Sequence, residues 1–164
     1  MSSATSVWAE TPSFDPANGL LKVPELLIED HLYTDVEVGF DPDNHYRLLT
    51  YLPPVLLTDD DDQKSVQLKP GQVLEIKLRA NATTGFQWEF DDTSIAIVQR
   101  LGGHVYVVDP PPANSSLHIV GRGGYDTWKF KAVKSGTALL KLMYRQGWEP
   151  ANEGKLFQVN LTVL

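Results

Sequence analysis

From Val66 to Leu164 the apolar residues recur at every second position, and no stretch of ten or more residues carries the 3.6-residue period of an amphipathic helix. Leu74, Ile76, Leu78 and Ala80 alternate with Glu75, Lys77 and Arg79. Phe86, Trp88 and Phe90 repeat the pattern, as do Trp128, Phe130 and Ala132 against Thr127, Lys129 and Lys131. Ala138, Leu140, Leu142 and Tyr144 form a further row, and Phe157, Val159, Leu161 and Val163 the last. Ile95 to Arg100 and His104 to Val108 add two short candidates. Turn residues separate these runs: Lys69-Pro70-Gly71, Gly102-Gly103, Ser135-Gly136 and Asn152-Glu153-Gly154. About seven strands with such punctuation predict an all-β chain, an immunoglobulin-like antiparallel β-sandwich over residues 63–164.

Residues 1–62 read differently. Pro12, Pro16, Pro24, Pro42, Pro53 and Pro54 punctuate short apolar pieces at Leu20 to Ile28, Leu32 to Phe40 and Tyr46 to Leu52. A small sheet of two or three strands is expected. In the second piece Leu32, Thr34, Val36, Val38 and Phe40 alternate with Tyr33, Asp35, Glu37 and Gly39, and Asp41-Pro42-Asp43-Asn44 would turn it into a hairpin with the third. Because a lone hairpin is marginal in water, this β-rich extension is expected to pack on the sandwich or on another chain. Thr58-Asp59-Asp60-Asp61-Asp62-Gln63 reads as the charged, solvated linker between the two parts.

Composition narrows the function. Twenty-one acids against fourteen bases give a formal charge of −7, which repels phosphate backbones and anionic lipid, so neither nucleic acid nor a membrane surface is an expected partner. No run approaches the roughly 20 apolar residues of a membrane-spanning helix. There is no cysteine, which removes disulfides, thiolate metal sites and a cysteine nucleophile. The first ten residues lack a basic start and an apolar run, so no secretory signal is visible, and a cytoplasmic chain and a trimmed secreted or periplasmic one both remain open. His31, His45, His104 and His118 have no metal-ligand spacing, and no nucleophile elbow occurs. Asp109, Asp126 and Glu149 are the acids that could pair as catalytic carboxylates, a pairing that chance supplies in an acidic chain. The Asp59 to Asp62 run lacks the glycine and distal glutamate of a calcium loop. No metal and no cofactor is expected.

Three islands between the strand runs read as loops: Asn81-Ala82-Thr83-Thr84-Gly85-Phe86, Gly121-Arg122-Gly123-Gly124 and Tyr144-Arg145-Gln146-Gly147-Trp148-Glu149. Glycine, asparagine and threonine suit tight turns, and a loop tryptophan supplies a large rigid contact. Taken singly, the first is also a common hairpin composition, the second fits a β-bulge or corner, and Trp148 would serve equally to cap the core. The second island is not a phosphate loop, because no Lys-Ser/Thr follows and the next run is a strand.

In order, and with the framework strands between them, the islands resemble the chagasin-like inhibitors of papain-family cysteine peptidases over about Val66 to Leu164. The resemblance implies a non-enzymatic, reversible, competitive and tight-binding inhibitor of papain or cathepsin L-like enzymes, expected to be a monomer when free. Three loops at one end of the sandwich would wedge into the active-site cleft. Asn81, Thr83, Thr84, Gly85 and Phe86 would form the first loop, with Thr83, Thr84 and Gly85 over the catalytic cysteine and histidine. Gly121, Arg122, Gly123 and Gly124 would flank the non-primed side, and Arg145 and Trp148 would belong to the third loop. The family's first loop usually has proline where this chain has Ala82, and its third usually reads Arg-Pro-Trp where this chain has Arg145-Gln146-Gly147-Trp148. Without those prolines the unbound loops are expected to be freer, at an ordering cost of about 0.5 to 1.5 kcal/mol per immobilised side chain. The alternative is a carbohydrate or cell-surface binding sandwich using Trp8, Trp88 or Trp148 as a stacking platform; the strand positions of Trp88 and Trp128 point instead to the core.

Overall fold

Every second residue of Gly124–Ala132 is buried, so Asp126, Trp128, Phe130 and Ala132 form the inner row of a strand whose other face carries Tyr125, Thr127, Lys129 and Lys131. The computed structural model describes residues 12–40, 46–90, 95–110, 122–147 and 154–164. It divides the chain into two compact units, Met1–Val55 with Gly71–Val73, and Leu56–Pro70 with Leu74–Leu164.

The first unit contains an antiparallel sheet of four strands in chain order: β1 (Ser13–Asp15), β2 (Leu20–Ile28), β3 (His31–Phe40) and β4 (Tyr46–Leu52). This is one strand more than the sequence suggests. The extra strand, β1, returns onto β2 through a turn in which the Asp15 carboxylate accepts from the Ala17 N–H at 3.0 Å and from Asn18 Nδ2 at 2.6 Å, the side-chain mimicry of a backbone turn that aspartate favours. The expected β3–β4 pairing forms, starting from Phe40 opposite Tyr46; its turn at Asp41 to Asn44 lies outside the described residues. Leu32, Thr34 and Val36 are buried as their alternation requires. A register shift between Thr34 and Glu37, with Asp35 at φ 50°, marks a β-bulge.

The second unit is built from β5 (Val55–Thr58), β6 (Ser65–Leu68), β7 (Val73–Ala80), β8 (Phe86–Phe90), β9 (Val98–Arg100), β10 (Val105–Val108), β11 (Gly124–Ala132), β12 (Gly136–Gln146) and β13 (Lys155–Val163). One sheet runs β10-β11-β7-β5, with β9 also on β11, and the other runs β6-β13-β12-β8. The immunoglobulin-like sandwich is there, with nine strands among the described residues where about seven were expected. The two additions, β5 and β6, flank the acidic run. Strand β6 pairs with β13 in parallel, Ser65 opposite Asn160, so the sandwich is not wholly antiparallel.

The acidic run, expected to be a solvated linker, is the crossover that carries the chain from the sheet of β5 to the sheet of β6. Asp59–Asp61 makes one 3-10 turn. Three of the run's four carboxylates accept from backbone donors: Asp61 from the Thr58 N–H, Asp59 from the Arg79 N–H and Asp62 from the Gln158 N–H, each at 2.9 Å. The Thr58 N–H, and after it the Lys64 ammonium at 3.0 Å, hold the Asp61 carboxyl below its ordinary range. Asp59 and Asp62 thus stitch β7 and β13 to the crossover.

Between the sheets lie Trp88, Phe130, Phe157, Leu74, Ile76, Leu78, Leu140, Leu142, Val159 and Leu161, all 2% exposed or less. The rows read from the sequence therefore face inward, and Trp88 and Trp128 are both core residues. Glu75 is also buried, with the Lys129 ammonium 3.4 Å away on the neighbouring strand.

The crossover gives a direct prediction. In urea denaturation, Asp62→Ala should lower stability by about 1 to 3 kcal/mol, since it leaves the Gln158 N–H without that acceptor. Asp60→Ala, at an exposed position, should stay within about 0.5 kcal/mol of the parent.

Candidate functional site

The link from β7 to β8 passes from one sheet to the other, and this passage is the first loop. Its shape follows from its residues. Asn81 caps a 3-10 turn of Ala82–Thr84: its side-chain oxygen accepts from the Thr83 N–H at 3.1 Å and the Thr83 hydroxyl at 2.6 Å. The Thr84 hydroxyl donates to the Asn81 carbonyl at 2.7 Å, and Gly85 ends the turn at φ 81°, the left-handed region where a side chain is penalised. Both hydroxyls therefore serve the turn itself, while Ala82 to Gly85 remain exposed at the surface.

The root of the loop is closed by Trp88, whose indole N–H donates to the Arg79 carbonyl at 3.0 Å across the two sheets. Phe86 and Trp88 pack on the Tyr144 ring with centroids 5.3 and 4.9 Å away. Tyr144 belongs to β12, which leads into the third loop, and Gln146 lies directly opposite Phe86. Loops one and three thus leave the sandwich side by side. The second loop joins them from the other sheet: a Cβ on Gly123 would lie 3.4 Å from the Ala80 carbonyl, and the Gly123 carbonyl accepts from the Asp109 N–H at 2.9 Å. Asp109 also takes the Arg79 guanidinium at 2.9 Å, and that guanidinium lies over the Tyr125 ring. An open cleft lined by Arg79, Ala80, Asn81, Gly123, Tyr144 and Lys155 marks where the three stems meet.

Of the residues singled out in the sequence, Asn81, Thr83, Thr84, Gly85, Phe86, Arg122, Gly123, Gly124 and Arg145 come to this one end. Gly121 and Trp148 lie outside the described residues, as do Trp8 and Glu149. Arg145 is largely covered, its side chain 18% exposed and its Nε 2.9 Å from Glu89 on β8. Gly124 is buried against β10, where a Cβ would collide with the Val107 carbonyl. Three residues that reach the first loop are not among the site residues that the sequence singles out: Tyr144, whose hydroxyl accepts from the Asn81 N–H at 2.8 Å, Tyr106, whose hydroxyl accepts from the Ala82 N–H at 3.5 Å, and Gln146, which donates to the Thr84 carbonyl at 3.0 Å. A tyrosine at the tip end of a core row needs a partner for its hydroxyl, and that was the available signal.

The catalytic readings find no support in the geometry. Asp109 is tied to Arg79, and Asp126 is buried with its Oδ1 2.6 Å from His104 Nδ1. Burial pushes the Asp126 carboxyl up, and the His104 hydrogen bond works against that push. The His104 ring stacks on Trp128 at 4.6 Å, which makes the pair a piece of sandwich packing. Among the described residues no group of three His, Asp or Glu side chains is placed to hold a metal, and no helix is long and apolar enough to cross a membrane.

What the described residues define is a β-sandwich with the first loop and the stems of the other two gathered at one end. The chain belongs to the Chagasin family of peptidase inhibitors, I42, whose model matches residues 67–163. It is accordingly an inhibitor and not an enzyme. It is 29% identical to amoebiasin-1 of Entamoeba histolytica over 65% of this chain and 97% of that one. Against chagasin of Trypanosoma cruzi it is 26% identical over 56% of this chain and 81% of the relative. Among solved structures, that of amebosin matches with a TM-score of 0.54 and 28% identity, over 68% of this chain and 99% of that one. A cysteine protease inhibitor of Entamoeba histolytica shares the fold with a TM-score of 0.55 and 23% identity, over 68% of this chain and 96% of its own.

The glycines of the second loop separate by what surrounds them. Gly124→Ala should lower the melting temperature by several degrees, because the new Cβ meets neighbouring backbone that cannot swing away. Gly123→Ala, at ordinary van der Waals distance from the Ala80 carbonyl, should shift it by about 1 °C or less.

Proposed function

We propose that the chain inhibits papain-like cysteine peptidases by seating its three-loop end in the active-site cleft. Inhibition of that peptidase class is the activity of the family to which the chain belongs. The mode of binding is argued from the loop geometry. One observation carries it most: an exposed, internally hydrogen-bonded turn at Asn81 to Gly85, with the ends of the other two loops beside it.

A peptidase cleaves a bond that lies extended along its groove. The first loop offers no such bond. The Asn81 carbonyl accepts from the Thr84 N–H and hydroxyl, the Ala82 carbonyl from the Gly85 N–H, and the Thr84 carbonyl from Gln146, so three of its carbonyls are already engaged. Gly85 turns the chain at a φ that an extended substrate does not adopt. A small turn held this way can lie over the catalytic cysteine and histidine without being drawn into an acyl-enzyme, and binding is then reversible and competitive. Arg122, Gly123 and Gly124, with Gly121, take the non-primed side, where missing side chains let backbone approach backbone. Arg145, held by Glu89, supports the third loop, and Trp148 supplies its contact. An interface of about 800 Å² per partner suffices for this mode. The four-stranded sheet of the first unit is an extension outside the inhibitory unit. The stacking-platform alternative loses Trp88, which is 2% exposed.

Titration into papain or a cathepsin L-like enzyme should show stoichiometric, competitive inhibition that reverses on dilution and leaves the chain intact. Trp148→Ala should weaken it by about 2 kcal/mol, roughly 30-fold. Absence of inhibition at micromolar concentration, or turnover of the chain as a substrate, contradicts the reading.

A further inference from the structure

We infer that Tyr144 and Gln146 are positioning residues that clamp the first loop from the strand leading into the third, so that the two loops meet a peptidase as one preset element. This rests on the loop-edge binding proposed above and names what holds that edge in shape.

Residues two apart on a strand share a face. On β12 that face, at its loop end, carries Tyr144 and then Gln146, and both reach the first loop, at opposite ends of its turn. The Tyr144 hydroxyl accepts from the Asn81 N–H at 2.8 Å, where the turn begins. Gln146 Nε2 donates to the Thr84 carbonyl at 3.0 Å, where it ends. Rings fix the first of these contacts in place, because Tyr144 stacks on Trp88 at 4.9 Å and lies against Phe86 at 5.3 Å. Its hydroxyl is thus delivered from a rigid ring to a backbone donor that an isolated turn would leave to water.

The two contacts differ in kind, and this gives the clamp its consequence. Tyr144 anchors the turn to the core. Gln146 lies one residue before Gly147, on the last residue of β12, so its carboxamide ties the turn to the start of the third loop itself. Displacement of either loop breaks the Gln146 bond, and ordering of one favours order in the other. Binding then pays for fewer independent immobilisations, which is how a preformed loop edge associates quickly. A side chain without an N–H donor at position 146 could not make this tie.

Tyr144→Phe keeps the ring and removes the hydroxyl; Gln146→Leu keeps the bulk and removes the donor. Both are made in the full chain, singly and together. Amide hydrogen exchange of the free protein is read alongside association and dissociation rates with papain. Each single variant should speed exchange at Thr83, Thr84 and Gly85 by about three- to ten-fold while leaving core amides such as Leu140 and Val159 unchanged. Each should slow association by a similar factor, and the double variant should fall short of the product of the singles, because one broken contact already frees the turn. Unchanged exchange in the loop overturns the clamp whatever papain does. Faster exchange with an unchanged association rate overturns the preset element. If the parent chain itself fails to inhibit, the inhibitory reading falls while the exchange result still decides the clamp.

Discussion

The indole of Trp88 is where the core of the sandwich and its loop edge become one structure. Its ring is sealed between the sheets, it stacks on Tyr144 of the neighbouring strand, and its N–H closes the root of the first loop on the Arg79 carbonyl. Burying so large a ring gives the hydrophobic term its purchase, and an indole buried without a hydrogen-bond partner would forfeit much of that gain. Because the acceptor is a carbonyl on the opposite sheet, the same contact that satisfies the donor also fixes how far apart β7 and β8 stand as the loop departs. Everything exposed at that end is built outward from this closure.

Outside it, the loop is held by polar contacts of short reach. Asparagine and two threonines supply the turn, tyrosine and glutamine supply the braces, and glycine supplies the one backbone angle that other residues resist. The chain lacks prolines at the two positions where its family usually has them, and the loss was expected to leave the unbound loops freer. At the same place the chain carries two side-chain hydrogen bonds from β12, those of Tyr144 and Gln146. A proline restricts one residue's φ, whereas the clamp proposed above would act through a neighbouring strand and so depends on β12 being in register with β8.

How much of this could be read in the sequence depends on the range of the force involved. The core rows were legible because alternation is a local consequence of the pleat: Leu74 to Ala80, Trp128 to Ala132 and Phe157 to Val163 face inward as their spacing requires. Of the three islands, Ala82 to Gly85 is the turn that its asparagine, threonines and glycine announce, whereas Gly124 lies on β11 and Tyr144 to Gln146 on β12, strand ends that their composition did not reveal. The acidic run was misread. Four successive aspartates look solvated, and nothing local reveals that Asp59 and Asp62 find backbone donors on Arg79 and Gln158, residues brought there only by the closed sandwich. The short strands β5 and β6 were missed for the same reason, four residues each being too few for a period to declare itself. Arg145, which the resemblance assigns to the third loop, lies near the end of β12, and its pairing with Glu89 again depends on cross-strand register.

The central claim is that the end bearing Asn81 to Phe86, Arg122 to Gly124 and Tyr144 to Gly147 is the surface a peptidase covers. The most direct measurement is a map of backbone amide protection on the intact chain with and without saturating, thiol-blocked papain. Protection gathered at those three segments, with the Ser135-Gly136 turn at the start of β12 and the sheet of the first unit unchanged, is the expected result. Protection at the Ser135-Gly136 turn or across the first unit, with Thr83 to Gly85 still exchanging freely, would contradict it.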